Sequence, residues 1–177
     1  APSHVTDLTT EQQADITAAR TRLEAWTSFQ TPEGTTATDA TEIADSVATS
    51  IFNAILTRVG PIGLQDEATR MGRGSFSTSR VARFIEDSFA GTPDQQSRLE
   101  IYWDDLTTDA DVETKEQAVV RATVAAMAFL RTTLGADLDT WRWGRLHTVR
   151  FESVLPTVGT DILSIPREGD ATYPNGF

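Results

Sequence analysis

His147 is the side chain best suited to proton transfer in this sequence, and Asp139, Glu152 and Ser153 lie within a few positions of it. A serine nucleophile, a histidine base and a carboxylate to orient the base would together make an acyl-transfer site. No G-x-S-x-G elbow surrounds Ser153, however. A partly buried histidine that hydrogen-bonds backbone between two tryptophans accounts for the same residues without chemistry, and is the preferred reading. Trp141 and Trp143 could stack an aromatic acyl group. With one residue between them they would point to opposite faces of an extended segment, and packing suits a large side chain with a single donor to satisfy.

Other candidates are weaker. Asp104, Asp105, Asp109, Asp111 and Glu113 form an acidic cluster that loosely resembles a calcium loop but lacks its glycine and distal bidentate glutamate. Helix capping and a favourable charge at a helix N-terminus explain most of it. Gly72-Arg73-Gly74-Ser75 lacks the Lys-Ser/Thr ending of a phosphate loop and reads as a helix stop. His4 sits near a terminus and reads as solvated. With no cysteine in the chain, disulfides, thiolate nucleophiles and Cys-zinc sites are excluded. No catalytic, cofactor-binding or metal-ligating residue is therefore assigned.

The bulk numbers narrow the partners. The 177 residues suit one domain and carry a net charge of −11. That charge repels phosphate backbones and anionic lipid, so neither nucleic acid nor a membrane surface is expected. No apolar run approaches the ~20 residues of a membrane span. The N-terminal ten residues lack the pattern of an intact signal peptide.

The elements that would position these residues are mainly helices. Thr9 to Gln13 contains a capping box, after which Ile16, Ala19, Leu23 and Trp26 share one face. Asp39 and Glu42 cap a second helix whose Ile43, Val47, Ile51, Ile55 and Val59 step by four, and Gly60-Pro61-Ile62-Gly63 is expected to stop it. Shorter helices follow around 64–71 and 79–89, the second with Val81, Phe84, Ile85 and Phe89 on one side. Another starts at the Thr92-Pro93-Asp94-Gln95 cap. A long helix is expected from about Asp111 to Leu134, ended by Gly135. From Trp141 the helical period is lost. The tail reads as short strands and turns without obvious partner strands in the chain, and lone strands are not stable.

The segment 139–151 is the most specific. Trp141, Trp143, Gly144, His147 and Phe151 resemble the W-x-W-G-x-x-H-x-x-x-F pattern of the β subunit of penicillin acylases and related acyl-homoserine-lactone and cephalosporin acylases. Trp103-Asp104-Asp105, Thr108 and Glu113-Thr114 resemble that family's acidic turn before its last long helix. Gly169-Asp170 with Asn175 is similar to its Gly-Asp segment. The chain departs from the family after the phenylalanine, where Glu152-Ser153-Val154-Leu155-Pro156 stands in place of the frequent His-Pro-Leu.

The resemblance implies a self-cleaving precursor and an N-terminal-nucleophile hydrolase of αββα fold. In such enzymes an N-terminal serine attacks the amide and its own α-amino group serves as base. It further implies a periplasmic or secreted enzyme acting on a β-lactam or another N-acyl small molecule, with calcium possible in the parent enzyme. Ala1 has no nucleophilic side chain, and the family's catalytic and calcium-binding residues map onto none of these positions. The chain is thus expected to be an internal piece of the β subunit. Residues 1–140 would form a helical subdomain and residues 141–177 a return segment packing on a sheet core supplied by the rest of the β subunit and the α subunit. The alternative is a stand-alone acidic all-α interaction module with its tryptophans covered by its own helices.

Overall fold

A computed structural model describes residue 5 and residues 7–103, 113–151 and 162–169. Within them the chain is mainly helical: α1 (Thr10–Ala25), α2 (Ala40–Gly63), α3 (Gln65–Arg70), α4 (Thr78–Ala90), α5 (Pro93–Leu99) and α6 (Lys115–Leu134). Short 3-10 turns occupy Glu100–Tyr102, Leu138–Thr140 and Trp143–Arg145, and two strands follow, β1 (Thr148–Phe151) and β2 (Ile162–Pro166).

The helix starts are local chemistry. Thr9, Thr92 and Thr114 each close a reciprocal capping box with a glutamine three residues on, and Asp39 accepts from the backbone of Thr41 and Glu42. One boundary falls within its expected segment and one differs. Helix α2 ends at Gly63, the last residue of the segment expected to stop it, having run through Pro61. In the last turn proline forfeits a single backbone bond, and the Leu64 N–H to Gly60 carbonyl bond at 3.0 Å carries the chain past it. Helix α6 begins at Lys115 rather than near Asp111, because the Thr114 hydroxyl and the Gln117 amide take the cap. The Gly72-Arg73-Gly74 stop stands as expected: after α3 the Arg73 N–H turns back to the Ala68 carbonyl at 2.8 Å.

Helix α2 is the central post, packing chiefly on α6 and also on α1 and α4. One core gathers Ala19, Val47, Ile51, Met127, Leu130 and Trp141, and a second gathers Leu56, Val59, Leu64, Val81, Trp103 and Ala122. Buried polar residues on α2 are satisfied by their own helix: Thr49 donates to the Asp45 carbonyl at 2.7 Å and Ser50 to that of Ser46 at 2.9 Å. Asp15, buried on α1, receives the Arg131 Nε at 3.1 Å and so ties α1 to α6. That hydrogen bond raises the arginine further above its ordinary value.

The strand-like tail has a partner after all. β1 and β2 pair antiparallel, with Thr148 opposite Pro166 and Val149 opposite Ile165. The sequence of residues 152–161 contains no Asn-Gly or Asp-Gly dipeptide, so nothing in the local sequence announces the pairing.

Candidate functional site

The tryptophan segment is held against the loop between α1 and α2. Two bonds set its register: the Trp143 N–H donates to Ser46 Oγ at 2.8 Å, and the Gly144 N–H donates to the Glu33 carbonyl at 2.7 Å. Ser46 Oγ also donates to that same Glu33 carbonyl at 3.0 Å, which closes a small polar triangle at the start of α2. Gly144 has to be glycine. A Cβ there would lie 2.6 Å from Glu33 Oε2, 2.8 Å from Pro166 Cβ and 3.0 Å from Glu33 Cβ. Gly34, with φ +71°, meets the same demand from the other side, since its Cβ would run into Ser46.

The two indoles leave this segment in different directions. Trp141 is fully buried in the first core and donates Nε1–H to the Gly135 carbonyl at 2.9 Å. Trp143 donates to the Gly169 carbonyl at 2.6 Å. Gly169 in turn donates its N–H to the Thr31 carbonyl at 3.1 Å, returning the contact to the α1–α2 loop. Both tryptophans are therefore covered by this chain itself.

His147 stacks on Trp143, with ring centroids 5.1 Å apart and planes at 11°. Its Nδ1 lies 2.9 Å from the Arg167 carbonyl, and the Arg167 N–H donates to the His147 carbonyl at 2.9 Å. A carbonyl only accepts, so Nδ1 carries the proton in this arrangement. Asp139, a candidate orienting acid, is ion-paired with Arg22 on α1. Glu152 and Ser153 lie outside the described residues, as do Asp170 and Asn175. For Phe151 only the backbone, in β1, is described.

Glu33 ties the loop together electrostatically. Its carboxylate accepts from the Thr35 amide at 2.8 Å, from the Thr35 hydroxyl, and from the Thr36 hydroxyl at 3.2 Å. Burial works to raise its pKa, but these bonds together outweigh burial and hold the carboxyl below the ordinary glutamate value.

The remaining sequence candidates are placed as follows. Asp104, Asp105, Asp109 and Asp111 lie outside the described residues, and Glu113 is ion-paired with Arg121. Among the described residues no group of three acidic or histidine side chains could hold a metal ion. No helix among them is long and apolar enough to cross a membrane. Sequence reasoning found the segment 141–147 but missed Thr31, Glu33, Gly34 and Ser46, the other half of the arrangement. No spacing rule links residues about a hundred positions apart.

Comparisons with known proteins agree with this segment's resemblance. A family model described as penicillin amidase matches residues 1–176. The chain is similar to the acyl-homoserine lactone acylase QuiP of Pseudomonas aeruginosa, with 36% identity over 52 residues. That match spans 29% of this chain and 6% of the relative, so the chain covers a small part of that protein's length. No solved structure matches.

Proposed function

The chain belongs to the penicillin amidase family, and we propose that it is the helical part of an N-terminal-nucleophile acylase that hydrolyses the side-chain amide of a small N-acyl molecule. The substrate classes are β-lactams and acyl-homoserine lactones. The family match over nearly the whole chain carries this reading. In it, the nucleophilic serine and the oxyanion donors belong to the remainder of the β subunit and the α subunit, any calcium is bound there too, and the enzyme works in the periplasm or outside the cell. Trp141, Trp143, Gly144, His147 and Gly169 hold backbone in place and do no chemistry. The support for that role is where the bonds of Trp141, Trp143 and His147 end, on carbonyls of this same chain.

The test is hydrolysis of a chromogenic phenylacetyl or fatty-acyl amide by the isolated chain and by the full-length protein that contains it. Turnover is expected from the full-length protein alone. Turnover by the isolated chain that is abolished in His147→Ala would place the catalytic residues here and overturn the assignment.

A second reading, an acidic all-α interaction module without enzymatic activity, is favoured by one observation. Trp26, Trp103, Trp141 and Trp143 are all at most 8% exposed within the chain's own fold. It predicts a monodisperse chain with no hydrolytic activity at any length. The acylase reading instead needs an apolar surface for the rest of the enzyme. An open groove of about 480 Å³ between α1, α2 and α6, lined by Leu23, Phe52, Ile55 and Val119, offers one.

A further inference from the structure

A cavity of about 310 Å³ lies between the end of α2, α4 and the end of α5, walled by Leu64, Phe76, Val81, Phe84 and Leu99. That size falls at the lower end of the range of about 300–1,000 Å³ found for small-molecule sites. The wall is rigid where it is deepest. Leu64 and Val81 are each 3% exposed, and Phe84 is braced by Trp103 at 5.1 Å and Tyr102 at 6.1 Å between ring centroids. Met71, half exposed, contributes an adaptable thioether.

Only two polar side chains join this lining among the described residues, Arg80 and Tyr102. Neighbouring arginines are occupied: Arg83 pairs with Glu86 and Asp87, and Arg98 with Asp94. The Arg80 guanidinium makes no ion pair or hydrogen bond with the described residues, and neither does the Tyr102 hydroxyl. Among the described residues the lining is apolar but for one unpaired cation and one unpaired hydroxyl, which matches an amphiphile with one anionic end. It does not match a sugar or a nucleotide, which would need donors and acceptors along the walls.

We propose that this cavity binds a single-chain carboxylate amphiphile. The hydrocarbon chain fills the space between Leu64, Val81 and Phe84, and the carboxylate meets the planar fork of Arg80, with the Tyr102 hydroxyl as a second donor. The net charge of −11 opposes an anion at long range. At physiological ionic strength a Debye length of about 8 Å confines that opposition, and the guanidinium in the lining decides. This site goes beyond the acylase reading and is tested by binding rather than by hydrolysis, so either can fail without the other.

The experiment is calorimetric titration of the full-length protein with sodium decanoate, decan-1-ol and decyltrimethylammonium. Decanoate is expected to bind saturably and more tightly than the alcohol, and the cation least. Arg80→Gln should weaken decanoate about fivefold, the scale of one solvent-accessible ion pair, and leave decan-1-ol unchanged. Arg80→Lys should keep most of the affinity. Leu99→Trp, which fills the cavity from its half-buried side, should weaken acid and alcohol together. No saturable decanoate binding, the same decanoate affinity in wild type and Arg80→Gln, or a cation bound as tightly as the acid would each overturn the proposal.

Discussion

The two ends of this molecule are each organised around tryptophan, in opposite ways. Around Trp141 and Trp143 the bonds run between segments far apart in the chain, from residue 143 to 46, from 144 to 33 and from 169 to 31. Around Trp103 the polar contacts stay closer in sequence. Its indole donates to Ser88 Oγ at 3.1 Å, the Thr92–Gln95 box caps α5, and the Gln96 amide returns to the Gly91 carbonyl at 2.8 Å. The first arrangement pins several stretches of backbone to one another and leaves no room beside Gly144. The second relies on caps and apolar packing, and it leaves a cavity. Long-range backbone bonds fix a single register, whereas local caps fix each helix and let neighbouring helices settle where side chains permit.

Substitutions should divide along that line. Trp141→Ala removes a fully buried side chain from the first core and strands the Gly135 carbonyl; a loss of about 3–5 kcal/mol is expected from chemical denaturation of the isolated chain. Gly144→Ala should cost about 2–3 kcal/mol, since the Pro166 ring and the Glu33 side chain from its Cβ outward must both give way. The contrast is Gly74→Ala near the other end, where an added Cβ meets nothing within 4 Å, and a change within about 0.5 kcal/mol is expected. Equal losses at both glycines would erase the distinction between the two ends.

That distinction also explains what could be read from sequence. The capping boxes at Thr9 and Thr92 and the stripe on α2 are local patterns and were legible, and so was the compact signature from Trp141 to Phe151. The extension of α2 through Pro61 was not, because a proline in the last turn costs one bond and Leu64 bridges it. The β1–β2 pairing and the contacts of Glu33 and Ser46 with Trp143 and Gly144 were also hidden. They join positions whose proximity is set by the tertiary fold. The cavity beside Arg80 has no signature either, since a space between helices is a property of how they pack.

The Trp103 end can be probed with Ser88→Ala. Ser88 is 1% exposed, and its loss leaves the buried indole N–H without the hydroxyl it donates to, at a cost of about 1–2 kcal/mol. If the loss is nearer zero, water reaches the indole and this end is looser than its burial suggests.

Among substitutions that remove a contact, the smallest effect expected is at Glu33, and its pH dependence identifies it. A carboxyl held below its unfolded pKa binds fewer protons in the folded chain than in the unfolded one. Its contribution is therefore fully present above the unfolded glutamate value and is lost as pH falls through the lower, folded value. Glu33→Gln should destabilise the chain by under about 1 kcal/mol near neutral pH, because the bonds to Thr35 and Thr36 are partly solvated. Melting curves of wild type and variant should then converge as the pH is lowered past the glutamate range. A gap that persists unchanged into acid would assign the loss to packing against Gly144, and the carboxylate's charge would have no part in holding the loop.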